Sequence, residues 1–361
     1  MKVAMFVATG EPLAIEEVTP APPGPTDVVV QLGASGVCHS DLSLKNGFVA
    51  MPPGMVLGHE GAGTVVDVGA EVSKVKKGDK IIASFIPACG VCLSCLSDQS
   101  HLCDREFEVM MAPRGTRADQ SPFLTMTGLG TFAEAMTVSQ DSVVKVDTDI
   151  PFDQLALIGC GVTTGVGAAL NTAQVHPGAT VAIIGCGGVG LSVLQGARIA
   201  GASRIIAIDQ GDEKRKAAES QGATDYVNSL DGDPVAQVQA LTGGRGVDYA
   251  FEVTVGAPEV LMQAYSMTRK GGTMVMVSMP RQDGTMTIPT FDFFYSEKTI
   301  KGCKYGSSQV RRDFQRFVSL TETGRLDLGG MVSRHINLEE VNDAFTAMEN
   351  KEVVRSVITS F

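Results

Sequence analysis

Cys89, Cys92, Cys95 and Cys103 follow one another with the spacing C-x2-C-x2-C-x7-C. Four thiolates so near in the chain can wrap a single tetrahedral Zn²⁺ and leave no coordination position open, which is the character of a structural site. An iron–sulfur cluster is the chemical alternative, and a redox Cys-x-x-Cys pair the simpler one. Zinc accounts best for a fourth cysteine so close by. His101 lies inside this loop and reads as a bystander. A second set is scattered, with Cys38 in Cys38-His39-Ser40-Asp41, His59 in Gly58-His59-Glu60 and Cys160 in Gly159-Cys160-Gly161. Two sulfurs and one nitrogen would hold a metal and keep a fourth position for water or substrate. Taken singly, each of these residues is as well read as a buried thiol or an ordinary histidine.

The third constellation is Gly185-Cys186-Gly187-Gly188-Val189-Gly190, which fits G-x-G-x-x-G. Its context raises it above a common tight turn. The apolar run TVAIIG precedes it, helical spacing follows it, and Asp209 ends the next apolar run 209 − 190 = 19 residues after the last glycine. Such glycines let the backbone approach a pyrophosphate at a helix N-terminus, while the carboxylate accepts ribose hydroxyls. A 2′-phosphate would face that carboxylate, so NAD is expected rather than NADP. Lys214 is placed to reach the same ribose.

The elements that must carry these groups change in kind along the chain. Up to about residue 150 the pattern is short β-rich runs (VVVQLGASGV, GAGTVVDVGAEV, DKIIASFI) broken by Gly and Pro. Beyond about 160, TVAIIG, RIIAID, VDYAFEV and GTMVMVSM alternate with the helical stretches VGLSVLQGARIAGA, DEKRKAAESQGA and PEVLMQAYSMT. That alternation implies an α/β unit with a doubly wound parallel sheet. The tail adds two amphipathic helices, RRDFQRFVSLTETG and LEEVNDAFTAMEN, and a strand, SVITSF. Gln154 to Ala197 contains no Asp, Glu, Lys or Arg. Its length would admit a membrane span, but its glycines and Pro177 favour a buried strand and helix pair.

Length and composition bound the rest. A chain of 361 residues with 44% hydrophobic and 19% charged residues is long enough for two or three domains and too apolar for disorder. Lys+Arg minus Asp+Glu is 29 − 40 = −11. An acidic balance argues against nucleic acid and anionic membranes as partners. MKVAMFVATGEP has too short an apolar run and meets Glu11 too early to read as a secretory signal, and the cysteines are clustered rather than evenly spread, so a reducing, cytoplasmic compartment is expected.

CHSD, GHEGAG, the four-cysteine loop, LIGCG and GCGGVG with Asp209, together with VGAEVSKVKKGDKI and the ending VVRSVITSF, resemble the zinc-containing medium-chain alcohol dehydrogenases in that order. The likeness covers nearly the whole chain. It implies a GroES-like β-rich catalytic domain over residues 1–161 and 305–361 and a Rossmann NAD-binding domain over 162–304, with nicotinamide and catalytic zinc in the cleft between. It implies two Zn²⁺ per chain, a catalytic one on Cys38, His59 and Cys160 and a structural one on the cysteine loop. Glu60 matches a carboxylate beside the metal and Asp41 the carboxylate that orients the histidine ligand. Ser40 matches the hydroxyl that takes the alcohol proton. Arg355 matches a pyrophosphate contact and Thr164 a residue near the nicotinamide. Phe85 and the region of Val277 would line an apolar substrate pocket, Val277 counting also among the cofactor contacts.

Two departures stand out. His39 occupies a position where many members carry an arginine on the pyrophosphate, which implies weaker and more pH-dependent NAD(H) binding. Ser43 stands where some members end their proton relay with a histidine. The segment EFEVMMAPRGTRADQSPFLTMTG resembles the long loop of the class III-like dimeric branch, so a homodimer is expected. The expected substrate is a primary alcohol or aldehyde, with aromatic, allylic and medium-chain ones all admitted. One rival is the thiol-adduct branch acting on S-hydroxymethyl thiols such as the glutathione adduct of formaldehyde. Against it, only Lys45 and Arg105 are at hand for a charged adduct. A non-enzymatic zinc protein or a metal-free quinone reductase relative would have lost the three scattered ligands. Cys186 and Cys303 are left without a metal role.

Overall fold

The computed structural model describes residues 1–254 and 257–361. The chain divides into two compact units, one formed by Met1–Cys160, Gln309–Gly324 and Leu328–Phe361, the other by Gly161–Ser308 and Arg325–Asp327. The seams fall one residue before the first expected boundary and four residues after the second. Tyr305–Ser308 stays with the second unit because this stretch hydrogen-bonds to Asn171 and Thr172.

In the first unit the long strand Asp27–Gly36 is the organiser. It pairs antiparallel with Glu60–Val68, with Ala135–Ser139 and with the terminal strand Ser356–Ser360. Alternating Val28, Val30 and Leu32 bury one face against Val65, Ile81, Met136 and Val138, as a period of two requires. The register matters for function. Gly36 pairs with Glu60 on one side and Val357 on the other, so Cys38, His59, Glu60 and Arg355 come to one end of the sheet. A second sheet is built around Lys2–Phe6, Met55–Val56 and Pro122–Thr125. The long segment after Cys103 is thereby woven into this sheet, where Arg117 forms a bidentate pair with Glu16 at 2.9 and 2.8 Å.

The second unit is a six-stranded sheet. Its order is Asp225–Asn228, Arg204–Asp209, Thr180–Ile184, Val247–Glu252, Thr268–Met276, Thr299–Gly302, all neighbours parallel. In chain order that reads third, second, first, fourth, fifth, sixth, the doubly wound order of dinucleotide-binding sheets. Its first strand, Thr180–Ile184, is a run of β-branched residues broken only by Ala182 and buried beyond its first residue, because both faces are covered.

Some expected elements shift. The helix expected over DEKRKAAESQGA is confined to Arg215–Ser220, and the strand expected over DKIIASFI to Lys80–Ala83. The charge-free stretch holds more than one strand and one helix. It opens in a helical segment, Phe152–Ala173, before the strand Thr180–Ile184 and the helix Gly188–Ile199. Phe152–Ala173 is long and apolar enough to cross a membrane, and 89% of its most apolar window is buried inside the protein. A helix hydrophobic on every side shows no amphipathic period to read.

Phe132 is fully buried with Phe6, Leu57 and Phe345 in the core of the first unit. Phe132→Ala is expected to lower unfolding stability by about 3–5 kcal/mol. Denaturant titration checks it, and a loss under about 1 kcal/mol would mean that the core refills the void.

Candidate functional site

Cys38 leaves the strand Asp27–Gly36 and caps the helix His39–Lys45. Three residues on, Asp41 turns back and accepts the Cys38 amide at 2.9 Å, one half of a capping box. The same buried carboxylate accepts the Gly58 amide at 3.1 Å and lies 3.0 Å from His59 Nδ1. One side chain thus sets the positions of Cys38 and His59. Gly58 can make the turn because it has no Cβ. Its φ is +89°, and a Cβ there would come within 2.6 Å of the Phe132 backbone nitrogen. Cys160 arrives on a π-helical turn, Ile158–Val162, the kind of local widening often found at functional sites.

The ligand atoms of Cys38, His59, Glu60 and Cys160 all lie within 4.8 Å of one another, and all four residues are buried. His59 Nε2 is buried with no hydrogen-bond partner, an arrangement that is costly unless something binds there. A hydrogen bond with Cys160 holds the Cys38 thiol well below the ordinary value against the opposing effect of burial, and the Arg355 charge adds to it. A thiolate is the metal-binding form of cysteine. The donor set of two sulfurs and one imidazole nitrogen therefore fits zinc. Ser40 Oγ stands 3.9 Å from Cys38 Sγ, and the Phe85 ring meets His59 edge-on with centroids 5.8 Å apart.

Glu60 and Arg355 form a buried ion pair beside this cluster. Burial raises the Glu60 carboxyl to about 7, against the neighbouring guanidinium, which lowers it. Arg355 also donates to the Val37 carbonyl at 3.1 Å. Gly36 leaves the room, since a Cβ on it would lie 2.1 Å from Glu60 Oε2. The structure thus gives Arg355, expected on a pyrophosphate, a carboxylate partner next to the metal ligands. The two residues are 295 positions apart in the chain, so no local signal could have paired them.

The cysteine loop forms the second cluster. The sulfurs of Cys89, Cys92, Cys95 and Cys103 lie within 4.8 Å of one another, and all remain free thiols. Backbone amides turn inward, with Val91 and Cys92 donating to Cys89 Sγ at 3.4 Å and Cys95 to Cys92 Sγ at 3.5 Å. The Asp104 and Cys95 amides bring the Cys92 thiol down to about 7, whereas burial pushes Cys95 up to about 12. Asp141 receives Arg105 at 2.8 Å and also Lys74, whose ammonium lies 3.4 Å from the Cys89 carbonyl. His101 is outside the group of sulfur ligands.

In the second unit the strand Thr180–Ile184 runs into the glycine turn, and Gly187 caps the helix Gly188–Ile199. The three motif glycines are needed for different reasons. Gly185 takes φ +105°, and a Cβ on Gly190 would lie 1.8 Å from the Gly185 carbonyl. Around Gly187 nothing stands within 4 Å of a Cβ position. Folding alone does not demand glycine there, whereas close approach of a phosphate does. Gly188 and Val189 open the helix whose N-terminus favours an anion. Asp209 ends its strand and accepts the Cys186 and Gln210 amides, each at 2.7 Å, so its carboxylate is held at the mouth of the turn. Lys214 caps the helix Arg215–Ser220. Thr164 and Val277 are buried, and His39 is exposed at the start of its helix.

A model of the alcohol dehydrogenase GroES-like domain matches residues 24–148, and one of zinc-binding dehydrogenases matches 188–323. The chain is 36% identical over 375 residues to an alcohol dehydrogenase class-3 of Cereibacter sphaeroides, covering 99% of both. It is 37% identical over 373 residues to an NDMA-dependent alcohol dehydrogenase of Amycolatopsis methanolica, covering 99% of this chain and 98% of the other. Among solved structures, benzyl alcohol dehydrogenase of Acinetobacter calcoaceticus superposes with a TM-score of 0.93 at 28% identity, over 100% of this chain and 99% of the other.

Zinc loading is expected to give two ions per chain. Asp41→Asn should weaken one of them about 10–100-fold, the usual cost of losing a partner of a metal-bound histidine, and leave the cysteine-loop ion in place. Competition with a chromogenic chelator measures both, and two equally retained ions in the variant would reject the role given to Asp41.

Proposed function

The chain belongs to the zinc-containing medium-chain alcohol dehydrogenase family, and on that premise we propose that it interconverts a primary alcohol and its aldehyde with NAD(H). It is an oxidoreductase of the alcohol dehydrogenase type. The observation that carries the finer reading is the buried group of Cys38, His59 and Cys160, whose histidine presents an unpartnered Nε2 to two sulfurs. The groups to be held are zinc on those three residues, a Lewis acid for the substrate oxygen, and NAD, a hydride acceptor.

The chain's own residues have separate tasks. Asp41 fixes the His59 tautomer by accepting from Nδ1, which leaves Nε2 as the donor atom. Ser40, beside Cys38, takes the proton from the substrate hydroxyl and passes it on towards solvent, with Ser43 the next hydroxyl along the same helix. Arg355 and Glu60 are paired next to the ligands, so that the guanidinium faces a carboxyl group rather than standing alone beside them. Phe85 supplies an apolar wall beside His59. Gly185, Gly187, Gly188, Val189 and Gly190 cradle the pyrophosphate and Asp209 the adenosine ribose, with Lys214 beside it, while Thr164 and Val277 face the nicotinamide end. His39, in place of an arginine, leaves the pyrophosphate with a weaker cation.

We assign the assembly as a homodimer. Phe291, Phe294 and Tyr295 are exposed on the helix Thr290–Ser296, next in the chain to Thr299–Gly302, the last strand of the parallel sheet. Large apolar faces of this kind usually meet a partner.

The test is a panel of aliphatic, allylic and aromatic primary alcohols with NAD, read as NADH formation at 340 nm (about the nicotinamide band), with cofactor release assayed in parallel. Turnover of a plain primary alcohol without any thiol is expected. Activity only with formaldehyde plus glutathione would assign the thiol-adduct branch instead, and no activity in a chain holding a single zinc would remove the enzyme reading. Gly187→Ala separates binding from folding. It should leave the melting temperature within about 2 °C, because its Cβ meets nothing, and weaken NADH binding at least about tenfold, the pyrophosphate losing its close approach.

A further inference from the structure

The helix Val310–Glu322 packs on the cysteine loop from 210 positions further along the chain. Its first two residues touch both ends of that loop. The Val310 amide donates to Ser100 Oγ at 2.9 Å, in the turn Ser100–Leu102 that leads into Cys103, and both residues are buried. Arg311 reaches the other end. Its Nη2 donates to the Ala88 carbonyl at 3.3 Å, one residue before Cys89, and its Nη1 lies 3.5 Å from the Val143 carbonyl.

Both partners of the guanidinium are backbone carbonyls. Arg311 is half-buried, yet among the described residues no carboxylate lies within ion-pair distance of it. Asp141 is engaged elsewhere, with one oxygen on Lys74 and the other on Arg105 at 2.8 Å, and Arg105 is shared with Glu108. Burial holds the Arg311 guanidinium below its ordinary range, while Asp141, Cys95 and Cys89 act the other way. A cation drawn from water without a counter-charge is costly, and arginine does not escape that cost by giving up its proton.

What stands beside it is the group of four thiols. Ionised and closed around one Zn²⁺, four thiolates leave two negative charges in excess. Neutral thiols would leave the guanidinium uncompensated.

We propose that Arg311 is the counter-ion of the zinc tetrathiolate centre, a positioning residue that couples the loop ion to the docking of the helix Val310–Glu322. This rests on the reading of the four cysteines as a zinc site. The coupling is reciprocal, so the ion is held more tightly with the helix in place and the helix more firmly with the ion bound. The sulfurs need nothing beyond the loop in order to meet; what the helix brings is charge.

Zinc transfer from the fully loaded protein to a chromogenic chelator tests the idea. Arg311→Gln keeps a donor and removes the charge. It should release the loop ion about tenfold faster, the effect of one charge at partly screened range, with the ion on Cys38, His59 and Cys160 retained within about twofold. Arg311→Lys should bring release back to within about threefold of the unmodified protein, since it restores the charge without the planar fork. The difference made by Arg311→Gln should shrink as salt rises from about 0.05 M to about 1 M. A lost packing contact would show neither the lysine rescue nor the salt dependence. Hydrogen exchange on the unmodified protein carries the comparison if Arg311→Gln does not fold. Protection of Val310–Glu322 should fall when chelator strips the loop ion, and that of the helix Val341–Glu349 should not. Equal release from Arg311→Gln, no rescue by lysine, or unchanged protection of Val310–Glu322 overturns the proposal while the zinc reading stands. A cysteine loop that binds no zinc in the unmodified protein overturns both.

Discussion

A single buried carboxylate carries the first unit's chemistry. Asp41 is fully enclosed and spends its acceptor capacity on the Cys38 amide, the Gly58 amide and the His59 ring. One of those bonds goes to Cys38 and two go to the neighbours Gly58 and His59, so one side chain ties two separate stretches of the chain together at the metal-ligand cluster. Burying an unpaired carboxylate would be costly, so the arrangement exists only if all three partners arrive together. The sheet sees to that. Because Gly36 pairs with Glu60, the two strands that lead to Cys38 and from His59 end at the same level, and Asp41 needs only one helical turn to span them.

The same sheet edge imposes the second constraint, a balance of charge. Strand Ser356–Ser360 lies on the other side of Asp27–Gly36 and delivers Arg355 opposite Glu60. Neither charge is tolerable alone at that depth, and together they are held without solvent. Gly36 is the condition for both. Its missing side chain is the space that Glu60 occupies. Small residues at the sheet end are therefore as much part of the site as the ligands.

Which parts could be read from the chain follows from the range of the interactions. The cysteine loop and the glycine turn are local, and their spacing alone carries their chemistry. Asp209 is legible because one strand and one helix have standard lengths. Cys38, His59 and Cys160 are scattered, and only likeness to a family singles them out among other cysteines and histidines. The pairing of Arg355 with Glu60 depends on tertiary contact and leaves no periodic trace. The helical segment from Phe152 is illegible in the sequence for a different reason, since it is largely buried and has no polar face to mark its period. The helix after Asp209 runs only over Arg215–Ser220, and the Asp212–Arg215 pair lies across its entrance at 2.7 Å.

The two metal-ligand clusters differ in how much chain must be organised before they exist. The cysteine loop closes between residues 89 and 103, whereas the other set spans 38 to 160. For flexible chain, closure over 122 rather than 14 intervening steps costs about 2 kcal/mol more, and the longer closure also requires two strands and a helix to be in register. The four sulfurs of the loop can consequently meet in a chain that is still largely unfolded, before the strands that bring Cys38 and His59 together have paired. One cluster is thus a local property of the chain, and the other exists only once the first unit has folded around it.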